Sequence, residues 1–178
     1  MAEAHRRTTR LPAREARRRA LRTRLVLADC DGVLTDGGVY YGESGEVMKR
    51  FHIRDGMGVE RLKQAAIDSA IISGERSPSI ARRAEKLALR HVLLGVKDKR
   101  GAVDALCVEA GLELAELAYI GDDVNDLAVL EAIGPYGLTA APHDAVREVA
   151  RSVHLVCRLP GGAGAFREFA EWILALRG

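Results

Sequence analysis

Asp29 and Asp31 close a short apolar run, Leu25-Val26-Leu27-Ala28, and lie two positions apart. Residues at that spacing in an extended chain project to the same side, so both carboxylates face one volume. Three later apolar runs also end in polar groups. Residues 67–73 stop at Ser73-Gly74-Glu75, residues 91–94 lead into Lys97 and Lys99, and residues 117–120 run into Gly121-Asp122-Asp123-Val124-Asn125-Asp126. Carboxylates gathered from several such ends repel one another unless a divalent cation neutralises them. With oxygen as the only ligand type, the expected cofactor is Mg²⁺, which takes a few carboxylates, retained waters and a substrate phosphate. A lysine and a hydroxyl beside it complete an anion site. Together these are the parts of phosphoryl transfer.

The groups converge only if the apolar runs are strands of one sheet. Their branched residues read as strands buried on both faces, and helical patterns lie between them, at 55–64, from Ser77-Pro78 through Leu87, from the Lys97–Lys99 region to Gly111, and at 127–133. A fifth strand is expected at 136–139, a brief one at 154–156, and helices at 143–150 and 165–176. Strands alternating with helices at this spacing give an α/β fold, a Rossmann-like doubly wound parallel sheet. Ligands of such sheets collect at the carboxyl ends of the strands. Residues 37–51 depart from the alternation, with β-favouring residues on either side of Gly42-Glu43-Ser44-Gly45, and read as a β-hairpin inserted after the first strand.

A chain of 178 residues suits one domain with a sizeable core. Residues 1–24 hold nine Arg against two Glu, leaving the remainder net acidic. They read as a basic, flexible arm with a helical stretch around 13–21, solvated in preference to binding nucleic acid, ahead of a domain at 25–178. No stretch is apolar for long enough to cross a membrane. Cys30, Cys107 and Cys157 lack metal-like spacing and read as reduced core residues of a cytoplasmic protein.

The ordered set Asp29-x-Asp31-Gly-Val-x-Thr35, Ser73-Gly74, Lys99 and Gly121-Asp122-Asp123-x-x-Asp126 resembles the four motifs of the haloacid dehalogenase (HAD) superfamily of phosphatases. Asp-Gly-Val-Leu-Thr-Asp-Gly, the hairpin, Phe51-x-x-Arg54-Asp55-Gly56-x-Gly58 and Gly161-Gly162-x-Gly164-x-x-Arg167 narrow the resemblance to a small capless branch. That branch contains the 3-deoxy-D-manno-octulosonate (KDO) 8-phosphate and nonulosonate 9-phosphate phosphatases. The resemblance implies that Asp29 is the nucleophile forming an aspartyl-phosphate. Asp31 would be the general acid and base, and Ser73 and Lys99 would hold the phosphoryl group. Lys99 fits the family's placement better than Lys97. Mg²⁺ would be bound by Asp29, Asp122 and the backbone carbonyl of Asp31, with Asp123 and Asp126 orienting its ligands and waters. A catalytically silent regulatory subunit is the alternative, and the intact set argues against it.

The resemblance further implies a cytoplasmic homotetramer acting on a small sugar acid phosphate, a neighbouring hairpin and tail closing each site. Thr35, Gly74, Glu75, Lys86, Arg54 and Arg167 are the candidate substrate contacts. Tyr40, Tyr41, Lys49, Arg54 and the segment 161–167 are placed against an adjacent subunit's pocket. Glu75 stands where octulosonate phosphatases usually carry Arg. With Lys86, it tilts the expected substrate towards a nine-carbon acid, the eight-carbon one being the alternative if Glu75 plays no part.

Overall fold

The computed structural model describes residues 8–178. In chain order the elements are β1 (Thr8–Thr9), α1 (Ala13–Arg22), β2 (Leu25–Ala28), β3 (Tyr40–Gly42), β4 (Gly45–Met48), α2 (Ile53–Gln64), β5 (Asp68–Ser73), α3 (Pro78–Lys86), β6 (His91–Leu94), α4 (Lys99–Ala110), β7 (Leu117–Ile120), α5 (Leu127–Ile133), β8 (Leu138–Ala141), α6 (Arg147–Ser152), β9 (Leu155–Val156) and α7 (Ala165–Arg177). Seven strands form one sheet in the order β1-β9-β8-β7-β2-β5-β6, and β3 and β4 form the separate hairpin. Every pairing in the large sheet is parallel except that of β1 with β9. Strand order therefore reverses beside β2, whose carboxyl end faces the crevice.

Both faces of the sheet are covered. Val26 and Ala28 of β2 turn to one side and pack with α1, α2, α3 and α7 through residues such as Ala20, Leu62, Ile80 and Phe169. Leu25 and Leu27 turn to the other and meet Val103 and Leu106 of α4 and Leu130 and Ile133 of α5. With two apolar surfaces to fill, β2 needs apolar residues at every position, which is why its sequence does not alternate. Local chemistry sets the helix ends. Ser77 Oγ accepts from Ile80 N at the start of α3, Asp98 does the same for Gly101 N in α4, and Gly111 ends α4 in the left-handed region at φ 61°.

Three expectations shift. Residues 8–24 are not a free arm, because α1 buries Ala16 and Ala20 in the core and β1 adds a strand to the sheet. Arg19 of α1 reaches the carbonyls of Gly134 and Gly137 at 2.5 and 2.8 Å. The two alanines are four apart and so share one helix face, with the arginine run around them masking the stripe. Residues 1–7 of the expected arm lie outside the described residues. The fifth strand begins later, at Leu138, since Gly137 N still caps α5 through the Ile133 carbonyl. The helix expected at 143–150 starts only at Arg147, because Val146 N is held by the carbonyl of Asp122. Among the described residues, no helix is long and apolar enough to cross a membrane.

Candidate active site

Asp29 follows directly on β2 and is 5% exposed. Lys99, the first residue of α4, lays its ammonium 2.9 Å from Asp29 Oδ1 and 2.7 Å from Asp126 Oδ1. Asp126 is fully buried and saturated. Its Oδ1 also accepts from Tyr119 Oη at 2.5 Å, and its Oδ2 from the backbone of Asp122 and Asp123 at 2.9 and 3.3 Å. With every lone-pair direction engaged, Asp126 serves to hold Lys99 and the β7 loop in place. Gly121 leaves room for this, since a Cβ there would come within 2.5 Å of the Asp126 carboxyl. Lys97 instead lies exposed, donating to the Gly74 carbonyl at 3.3 Å. Of the two lysines, Lys99 is the one brought to Asp29.

Carboxylate oxygens of Asp29, Asp122 and Asp126 come within 4.8 Å of one another. Burial, together with the charges of Asp29 and Asp126, pushes the Asp122 carboxyl up to about 8. Burial and the charge of Asp126 push Asp29 up to about 6, against the pull of Lys99. Asp122 Oδ1 is buried and makes no hydrogen bond. An orphaned carboxylate oxygen beside a second buried carboxylate fits a small divalent cation, and an all-oxygen donor set suits Mg²⁺. Backbone approach here is close, because Gly32 holds φ +87° and a Cβ on it would sit 2.0 Å from Asp122 Oδ2.

This pair predicts a pH-dependent metal effect on stability. Both folded-state pKa values lie above the unfolded carboxylate range, so without the cation the fold is favoured at acid pH and weakened as pH rises through about 6 and then 8. Binding Mg²⁺ requires the ionised carboxylates and removes the repulsion. The increase in melting temperature on adding Mg²⁺ should therefore be larger at pH 8.5 than at pH 5. An equal increase at both would contradict the paired assignment.

Asp31 Oδ1 accepts from Lys49 Nζ at 2.5 Å and lies 3.4 Å from Thr35 Oγ1, while Asp31 Oδ2 is buried without a partner. Thr35, an expected substrate contact, offers no exposed surface to a ligand. It is wholly buried, and its hydroxyl also accepts from the backbone of Gly37 at 3.2 Å, so it shapes the loop that carries Asp31. Lys49 follows β4 and lies in this chain's own site, with a side chain 1% exposed and Glu46 Oε2 at 3.7 Å. Burial opposes its charge, but the hydrogen bond and charge of Asp31 and the charge of Glu46 prevail and hold its pKa above the usual lysine value. Behind this loop, Gly162 N donates to the Val33 carbonyl at 3.0 Å, and a Cβ on Gly161 would strike the Gly32 carbonyl. The segment 161–162 thus packs on this chain's own catalytic loop.

Ser73 ends β5, buried, with its Oγ accepting from Glu75 N at 3.1 Å. Gly74 is half-buried beside it, and Glu75 is exposed at the same edge. Asp123 is exposed at the rim, its Oδ1 accepting from Val124 N at 2.7 Å. Three expected substrate contacts make no hydrogen bond or ion pair to these site residues among the described residues. Lys86 is exposed in the last turn of α3, which runs back from the Ser77 cap for nine residues, ~12 Å, to the opposite edge of the sheet. Arg54 is exposed in the first turn of α2. Arg167 pairs with Glu171 at 2.8 Å, and its backbone N donates to Asp55 at 2.9 Å. Sequence reasoning missed Tyr119 because it is embedded in an apolar strand. It missed the in-chain partner of Lys49 because a hairpin residue carries no signal of where the hairpin folds.

No protein-family model matches the sequence. Among curated proteins, the chain is 41% identical over 155 residues to the 3-deoxy-D-manno-octulosonate 8-phosphate phosphatase of Haemophilus influenzae, covering 87% of this chain and 84% of the relative. A solved structure of the Moraxella catarrhalis phosphatase of the same name, in complex with magnesium ion, phosphate ion and KDO, superposes with a TM-score of 0.85 at 35% identity, covering 92% of each chain. A Legionella pneumophila structure described as a HAD superfamily (subfamily III A) hydrolase superposes with a TM-score of 0.86 at 35% identity, covering 92% of this chain and 88% of that one.

Proposed function

The chain belongs to the KDO 8-phosphate phosphatase family of the HAD superfamily, a family of phosphoric monoester hydrolases, and from that premise we propose that it hydrolyses KDO 8-phosphate through an aspartyl-phosphate on Asp29. The observation that carries this reading is the buried meeting of Asp29, Lys99 and the orphaned Asp122 oxygen at the carboxyl edge of β2. Asp29, Asp122 and the Asp31 carbonyl are the groups that would hold Mg²⁺, which when bound neutralises the phosphoryl oxygens. The Asp29 carboxylate attacks phosphorus as the bond to the sugar oxygen breaks, and Asp31 delivers its proton to that oxygen. Ionised Asp31 then takes a proton from the water that hydrolyses the aspartyl-phosphate. Lys99 and the Ser73 hydroxyl hold the phosphoryl oxygens throughout. Keeping Lys99 on Asp126 fixes its ammonium before substrate arrives, so little reorganisation is needed during the reaction.

A nonulosonate 9-phosphate is the second reading. Glu75 favours it, being exposed beside Ser73 where it can accept hydrogen bonds from sugar hydroxyls or an amine and would repel a carboxylate. Lys86, the other half of that argument, could act only in another copy's crevice. Tyr40 and Tyr41 of the hairpin are 55% and 75% exposed, and Ile53 at the start of α2 is 83% exposed. This apolar rim supports a homotetramer in which the hairpin meets a neighbour. The deciding measurement is kcat/KM for the two esters with native protein and Glu75→Arg. Native protein should prefer KDO 8-phosphate, and the variant should widen that preference about tenfold. A native preference for the nine-carbon ester would install the second reading instead.

A further inference from the structure

Lys49 is a buried ammonium for which the roles above have no use. Lys99 already balances Asp29, and Lys49 reaches neither Asp29 nor Asp122 by any hydrogen bond or ion pair among the described residues. A buried lysine is costly unless its partners are well placed, and here both partners are carboxylates, Asp31 Oδ1 at 2.5 Å and Glu46 Oε2 at 3.7 Å. Glu46 is itself tied down, since its Oε1 accepts from Ser77 Oγ, the cap of α3. The base of the hairpin is thereby fixed to the rim of the sheet, and Lys49 is presented to Asp31 from a defined direction.

The two oxygens of Asp31 then differ. Oδ1 is engaged by Lys49 and, weakly, by Thr35 at 3.4 Å, while Oδ2 is buried and unpartnered. Proton transfer needs one carboxyl oxygen free and held in a fixed direction. We propose that Lys49 is a positioning residue, pinning Asp31 Oδ1 so that Oδ2 alone carries the proton to the leaving oxygen and recovers one from the hydrolytic water. Lys49 keeps all its protons in both half-reactions. The O–H bond broken in the first step is that of Asp31, and the one formed is on the departing alcohol. In the second step a water O–H is broken and that of Asp31 restored. This inference rests on the reading of Asp31 as acid and base given above. Without Lys49 only the 3.4 Å contact to Thr35 remains, and the carboxyl is free to turn.

The test uses the dependence on the leaving group. An alkyl ester such as KDO 8-phosphate departs only with protonation, whereas the aryl oxygen of p-nitrophenyl phosphate departs readily as the anion. Asp31→Asn should lower kcat/KM, which reports formation of the aspartyl-phosphate and not its hydrolysis, ~10³-fold for the alkyl ester and far less for the aryl ester. Lys49→Met should show the same asymmetry at ~10²-fold against less than about fivefold, and Lys49→Arg should recover most of the alkyl-ester rate. Glu46→Gln, which leaves Lys49 in place, should show the asymmetry at smaller size and covers the case of a Lys49 variant that does not fold. Equal losses on both esters in Lys49→Met and Glu46→Gln would reduce Lys49 to a packing role and overturn the inference. If Asp31→Asn itself shows no asymmetry, the assignment of Asp31 fails, and the inference falls with it for that separate reason.

Discussion

Replacing Asp29 with asparagine is expected to lower turnover by ~10⁴-fold or more while leaving the protein folded, as judged by kcat and thermal melting of the same preparation. Asparagine matches aspartate in shape, and its carbonyl oxygen can still accept from Lys99, which is 2.9 Å away. It cannot attack phosphorus. The stability effect has the opposite sign to the catalytic one. Asp29 is a buried carboxylate whose pKa is raised by burial and by the charge of Asp126, so removing its charge relieves repulsion in the metal-free protein. Metal-free Asp29→Asn should accordingly melt above metal-free native protein at pH 8, with the difference vanishing near pH 4, where native Asp29 is protonated. Lower stability at pH 8 would mean that Lys99 depends on Asp29 more than Asp29 suffers from its neighbours.

Lys99→Met is expected to lose both activity and stability. The ammonium lies between Asp29 and Asp126 with 3% of the residue exposed. Burial disfavours its charge, but the charges of Asp29 and Asp126 and their hydrogen bonds raise its pKa above the usual lysine value, so it is cationic throughout the neutral range. Deleting one member of a buried ionic cluster strands the others and costs about 3–5 kcal/mol. In the reaction it also removes a donor aimed at the phosphoryl oxygens, worth ~10²–10³ in kcat. Lys97→Met should change neither quantity, because Lys97 is exposed and bonded to the Gly74 carbonyl. Comparable losses from the two substitutions would mean that the phosphate site lies elsewhere along the β6–α4 loop.

The reactive core was legible because each of its members follows a strand. An apolar run interrupted by Asp, Ser or a lysine marks a strand end, and a parallel sheet delivers such ends to one edge. The parts that escaped depend on side-chain reach and helix direction. Lys86 is separated from Ser73 by little sequence, yet α3 carries it the wrong way, to the far edge of the sheet. Thr35 lies within a motif of catalytic residues, but its burial turns it to loop scaffolding. Tyr119 sits in Leu-Ala-Tyr-Ile, where an aromatic residue reads as core, and only the fold shows its hydroxyl on Asp126. Arginines surrounding Ala16 and Ala20 concealed the docking face of α1.

The nucleophilic role of Asp29 is the claim on which the rest depends, and the stereochemical course at phosphorus tests it most directly. Each in-line displacement inverts the phosphorus centre. Attack by Asp29 followed by attack of water therefore gives net retention in the inorganic thiophosphate released, in isotopically labelled water, from a phosphorothioate ester made chiral at phosphorus with oxygen isotopes. Retention is the expected result. Inversion would mean a single displacement by water, with Asp29 serving only as a metal ligand or base.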